Sequence, residues 1–136
     1  MIVNKIYYLI VLYIILSASM CFSAEKDYQI AVAGLFEGSR LEVRVDKAGS
    51  RADVCTAIYA IEIEYPDKWY ESIGQALYYA LLTGLCPGIV LIQEEISDSV
   101  YLNRLLLVLD EFKLNITVWT IAKDFKLKLI RVGTIK

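Results

Sequence analysis

The chain reads as alternating segments of helical and strand periodicity. Residues 25 to 36 place Ile30, Ala33 and Leu35 on an apolar face and predict a short helix stopped near Gly38. Leu41 to Asp46 alternates with period two, as a half-buried strand does, and residues 47 to 50 supply turn formers. Ala52 to Thr56 and Ile58 to Tyr65 predict the next two strands, with antiparallel pairing across the first turn. Pro66 and Asp67 open a helix to about Thr83. Its core-facing stripe is Trp69, Ile73, Ala76, Leu77, Ala80 and Leu81, and Gly84 with Pro87 and Gly88 ends it. The continuous apolar run Ile89 to Ile92 predicts a strand covered on both faces. Residues 97 to 99 cap a further helix through about Lys113, with leucines 102, 105, 106 and 109 facing inward. Ile116 to Ile121 is another interior strand, and Phe125 to Val132 adds an edge. Strand-helix-strand passages require right-handed crossovers, so the fold class is α/β, a mixed sheet flanked by helices.

The first 24 residues are set apart from this pattern. Lys5 precedes an unbroken apolar run from Ile6 to Leu16, followed by small residues near Ser19 and Ser23. That is the form of a signal peptide, giving an exported chain, periplasmic or secreted, with residues 25 to 136 as one domain. An uncleaved membrane anchor is the alternative, since the run approaches the length that spans a bilayer. One of the 14 basic residues, Lys5, leaves with such a leader, so 13 remain against 16 acidic ones, a net charge of about −3. No generally basic surface is available for nucleic acid. Arg40, Arg44, Lys47 and Arg51 nevertheless crowd the first hairpin, and Lys123, Lys126, Lys128, Arg131 and Lys136 crowd the end. Cys55 and Cys86 remain as a candidate bridge or as buried thiols. The chain contains no histidine, which removes serine-histidine and cysteine-histidine catalysis and histidine-supplied metal sites.

Carboxylates, lysine, tyrosine and backbone are left to do chemistry, and residues 51 to 64 concentrate them. Asp53, Glu62 and Glu64 lie in strongly apolar strand segments, closely followed by Lys68, Glu71 and Gln75. Carboxylates are rarely buried without a partner. Asp53 and Glu62 fall on adjacent predicted strands and can converge on one divalent cation. Alternation sends Glu62 and Glu64 to the same face. The simpler readings are an ion pair of Asp53 with Arg51 or Arg44, a solvated strand face for Glu62 and Glu64, and ordinary helix-surface roles for Gln75 and Tyr79. Trp69, Tyr70, Tyr78 and Trp119 read as core or rim aromatics before base-stacking platforms.

The order helix, three strands, helix, strand, with an acid on the second strand, an acid pair on the third and a glutamine in the next helix, resembles the PD-(D/E)XK, or restriction-endonuclease-like, nuclease superfamily. The likeness spans about residues 25 to 94, with a helix and strand as extension, which gives αβββαβ followed by αβ. The resemblance implies a metal-dependent nuclease hydrolysing phosphodiester bonds, with Mg²⁺ or Mn²⁺ and no organic cofactor. Its expected partner is nucleic acid, DNA first, and assembly into a homo-oligomer stays open. Asp53 and Glu62 take the places of the metal-binding acids, and a glutamate near the first helix falls on Glu37 or on Glu42. Gln75 and Tyr79 resemble the Gln-x-x-x-Tyr motif of one branch, on one helical face. With Arg51, Tyr79 is a candidate substrate contact.

One position departs from the family pattern. Glu64 stands where the family has lysine, so the resemblance implies that Lys68, at the start of the following helix, supplies the ammonium. Glu64 then joins the site or adds negative charge to it, and the three carboxylates repel one another unless a cation or proton intervenes. An inactive nuclease fold that binds nucleic acid or protein, or an exported non-enzymatic interaction protein, are the competing expectations.

Overall fold

A computed structural model describes residues 2 to 134, without the side chains at 2–5 and 14–23. The helices are α1 (Ile2–Gly34), α2 (Trp69–Thr83) and α3 (Ser99–Glu111). The strands are β1 (Arg40–Arg44), β2 (Arg51–Cys55), β3 (Tyr59–Glu64), β4 (Cys86–Ile92), β5 (Thr117–Ile121) and β6 (Leu127–Arg131). Short 3₁₀ turns at Pro66–Lys68 and Ile96–Asp98 lead into α2 and α3. All six strands form one sheet in the order β1-β2-β3-β4-β5-β6. The first two pairings are antiparallel, β3-β4 and β4-β5 are parallel, and β6 returns antiparallel. This is an α/β mixed sheet with helices on both faces, in the expected element order.

Alternation along β3 and β4 divides the core. Tyr28 and Val32 of α1 pack on Val54, Ile61, Ile63, Val90, Ile92, Trp119 and Ile121. On the other face, Ala76 of α2 and Leu105 and Leu109 of α3 pack on Ile89, Leu91, Ile116 and Val118. The β3-to-β5 strands are covered on both sides, which is why their sequences are nearly continuous apolar runs.

Several boundaries differ from the sequence reading. The first helix does not begin at Glu25; its backbone continues to Ile2. Apolar residues at 6–10, 12 and 13 are exposed along this extension. The cleavage positions around Ser19 and Ser23, and Cys21, lie outside the described side chains. Among the described residues, which omit the side chains at 14–23, no helix is long and apolar enough to cross a membrane. Pro87 and Gly88 lie inside β4, where they pair with Ala60 and Ile61. Gly84 alone ends α2, in the left-handed conformation with φ 73°, its N–H donating to Ala80 O. Gly88 is required by close approach, because an added Cβ would stand 3.0 Å from the Trp119 ring and 3.1 Å from Ile61.

The inward stripe of α2 is also rotated from expectation. Ser72, Ala76 and Tyr79 are buried, whereas Leu77 and Leu81 are exposed, Leu81 at 78%. The sheet beneath α2 carries Glu62 and Glu64, so a polar helix face meets it there. Cys55 and Cys86 are free and buried. Strand β3 separates them, and two strand spacings, about 9.5 Å, exceed the reach of a disulfide.

Candidate active site

The site forms where β2 and β3 part. Their ladder pairs Cys55 with Ala60 and Val54 with Ile61. At the next step the Asp53 side chain, not its backbone, meets β3. Ile63 N–H donates to Asp53 Oδ2 at 2.8 Å, and Gln29 Nε2 of α1 donates to Asp53 Oδ1 at 2.9 Å. Asp53 therefore bonds neither Arg44 nor Arg51. The Arg44 guanidinium is spent on the carbonyls of Asp46 and Lys47, and Arg51 is exposed beside it across the strand pair. Opposite Asp53 on β1, Glu42 holds a left-handed φ of 48°, a conformation strained for a residue with a side chain.

Glu62 and Glu64 line no solvated face; they are 5% and 7% exposed. Burial pushes the Glu62 carboxyl well above the usual carboxylate range, and Asp53, Glu64 and Glu25 push in the same direction. Asp53 is raised chiefly by burial, against the Ile63 hydrogen bond, with Glu25, Glu64 and Glu42 adding. Glu64 is raised by burial too, partly offset by its bond from Tyr65 N–H and by the Lys68 charge. On α2, burial and the charges of Glu62 and Asp53 push the Tyr79 phenol up to about 12. Asp53, Glu62, Glu64 and Tyr79 thus share one electrostatic neighbourhood. Gln75, one turn before Tyr79, lies on the same helix face.

Among the described residues, three buried side-chain oxygens have no hydrogen-bond partner: Gln29 Oε1 on α1, Glu62 Oε2 on β3 and Gln75 Oε1 on α2. All are acceptors. Interiors leave few such groups unsatisfied, and an all-oxygen, carboxylate-centred set is the chemistry a hard divalent cation prefers. Among the described residues, no three Asp, Glu, Cys or His side chains are already grouped to hold a metal. The donor types present, carboxylate and amide oxygens, are those a hard cation takes.

Lys68 is exposed on the 3₁₀ turn ahead of α2, where its charge reaches Glu64. Glu37 is not brought to this group; it is exposed in the turn after α1. Glu42 stands closer, lining a pocket of about 180 Å³ with Asp53, Glu25, Lys26 and Gln29, and it pairs with Lys26 at 3.1 Å. Sequence reasoning missed Glu25 and Gln29. The available signal was their i, i+4 spacing on a helix whose other residues are largely apolar.

No family model matches the chain, and neither a curated protein nor a solved structure shows significant similarity to it.

Proposed function

We propose that this chain is an exported, divalent-cation-dependent phosphodiester hydrolase acting on nucleic acid, with DNA as first candidate. The observation that carries the reading is Glu62, a buried carboxylate with an unpartnered oxygen, near enough to Asp53 for the two charges to act on each other. Mg²⁺ or Mn²⁺, when bound, would supply Lewis acidity and an acidified water. Asp53 is pre-oriented by two donors, so little reorganisation is needed for it to ligate. Glu62 would give its free oxygen and shed its proton on loading. Lys68, on an exposed turn, has room to reach toward a phosphate and balance its developing charge. Gln75 would contact substrate, the buried Tyr79 would steady Glu62 from the α2 side, and the exposed Arg51 would meet backbone phosphates at the hairpin.

Glu64 in place of a lysine favours a second reading, an inactive fold that binds cation and nucleic acid without cutting. One assay separates the two. The full chain is incubated with labelled single- and double-stranded DNA and RNA, with Mg²⁺, Mn²⁺ or EDTA, beside Glu62→Gln. Cation-dependent cleavage that disappears in the variant supports the hydrolase. Cation-dependent binding of intact strands supports the second reading, and neither behaviour removes both.

A further inference from the structure

We propose that the crevice at the carboxyl ends of β4 and β5 is a nucleotide-binding pocket, taking a phosphate on Lys128 and a base edge on Thr120 and Gln93. Its volume is about 580 Å³, and its lining includes Gln93, Ile96, Ser99, Thr120, Lys126 and Lys128. That is the size of a small-molecule site. The pocket needs no metal, so it stands apart from the cation reading of Asp53 and Glu62.

Several groups that line the crevice are unmet. Thr120 is 8% exposed, and among the described residues its hydroxyl has no hydrogen-bond partner. Thr117 on the same strand, by contrast, accepts the Gly133 N–H at 2.9 Å. Interiors leave few polar groups without a partner. Lys128 stands directly across from Thr120 on β6, which puts the two side chains on one face with Cβ atoms about 5 Å apart. It has no ion-pair partner among the described residues, whereas Lys126 is held by Asp124 at 3.1 Å and Lys123 by Glu95 at 2.6 Å. Gln93 spends Nε2 on the Asp98 carbonyl at 3.2 Å, which leaves Oε1 as an acceptor. Ile96 is 96% exposed.

Water can meet the hydroxyl and the ammonium but leaves Ile96 bare. Inorganic phosphate would pair with Lys128 and leave both Ile96 and the Gln93 acceptor unused. A nucleotide meets all four groups, because its phosphate pairs with Lys128, its base edge offers a donor to Gln93 and an acceptor to Thr120, and its ring covers Ile96. The nearby acids do not oppose it: Glu94 accepts the Tyr28 hydroxyl at 2.7 Å, Asp98 accepts the N–H groups of Glu94 and Glu95, and Glu95 and Asp124 are the ion-paired acids. Strand register carries the row Glu64, Leu91, Thr120, Lys128 across the sheet, so the crevice lies on the Glu64 face, two strand spacings or about 9.5 Å away. The bound nucleotide is then either free or one unit of a strand that passes the acids.

The test is titration calorimetry on the full chain in EDTA, with thymidine and adenosine monophosphates, a short oligothymidylate and inorganic phosphate. Wild type is compared with Thr120→Val, Thr120→Ser, Lys128→Gln and, as a charge control, Lys113→Gln, each checked for folding by its thermal transition. Thr120→Val and Lys128→Gln should each weaken nucleotide binding by roughly tenfold, the loss of one hydrogen bond or charged contact. Thr120→Ser and Lys113→Gln should bind as wild type does. Thr120-dependent binding supports the pocket in either arm, the monophosphates reporting a free nucleotide and the oligothymidylate a strand. Binding unchanged in folded Thr120→Val, or inorganic phosphate binding as tightly as the nucleotides, would overturn the proposal and leave the cation reading standing. No binding of any nucleotide by wild type would overturn it outright. Should Thr120→Val not fold, Lys128→Gln against Lys113→Gln decides, equal affinities overturning the pocket.

Discussion

Asp53 accepts the Ile63 N–H at 2.8 Å, so a side chain from β2 takes the place of a backbone carbonyl in the ladder to β3. Sheet integrity and site chemistry are therefore tied at this residue. Asp53→Ala strands the Ile63 N–H, at a cost of about 1–3 kcal/mol for a buried donor without a partner. Asp53→Asn keeps an acceptor for Ile63 and, with the Gln29 amide turned over, offers a donor to Gln29 Oε1. Urea unfolding in EDTA at neutral pH should find Asp53→Asn more stable than Asp53→Ala by about that margin. Equal stabilities would mean that the bond has no structural weight.

Burial raises Glu62, Asp53 and Glu64 above their unfolded values. In the window between unfolded and folded values, the native chain holds more protons than the unfolded one. Cation-free stability is then highest near and below the ordinary carboxylate range and falls as pH rises through neutrality. Added Mg²⁺ or Mn²⁺ should reverse the loss, with a rise in melting temperature that grows with pH. Melting curves from pH 5 to pH 9, with and without cation, check both slopes.

Glu62→Gln retains shape and removes the cost of burying a carboxyl group that would be ionised in the unfolded chain. At pH 8 without cation it should be more stable than wild type, by about 1–3 kcal/mol, and should lose the stabilisation by cation. A variant less stable than wild type under those conditions would show that Glu62 is held by a donor after all.

Lys68 is exposed, so Lys68→Met should change stability by no more than about 0.5 kcal/mol. Cleavage, if present, should fall by roughly 10²- to 10³-fold, as when one electrostatic donor is removed. Unchanged cleavage would hand the ammonium role to another residue, with Lys26 in the adjoining pocket next to be substituted.

Gly88→Ala tests the core independently of the site. Its added methyl meets Trp119 and Ile61 at close range, and overpacking of this kind costs about 1–3 kcal/mol. Chemical unfolding should show that loss with no change in the response to cation.

The buried strands β3 to β5 were legible because continuous apolar runs have few other uses. The crossover helices α2 and α3 followed from their periodic apolar residues. The face of α2 was not legible. Leu77 and Leu81 looked inward by hydrophobicity, yet Tyr79 and Ser72 are the buried ones, because the sheet beneath carries acids and local periodicity cannot see a partner strand. Asp53 and Glu62 could be paired from their places on neighbouring strands. Gln29 could not, since its role depends on where α1 crosses β2, a relation 24 residues apart in sequence. Pro87 and Gly88 read as a turn but serve in a strand, because Gly84 had already ended the helix.

Helix α1 runs from Ile2 through Glu25 and Gln29 to Gly34 without interruption. The apolar segment that would direct export and the turn that leans on the acidic pocket thus belong to a single rod. A shift of that helix along its own axis would move Gln29, and with it the Asp53 carboxylate it holds, so the acid on β2 takes its position from the helix as well as from the sheet.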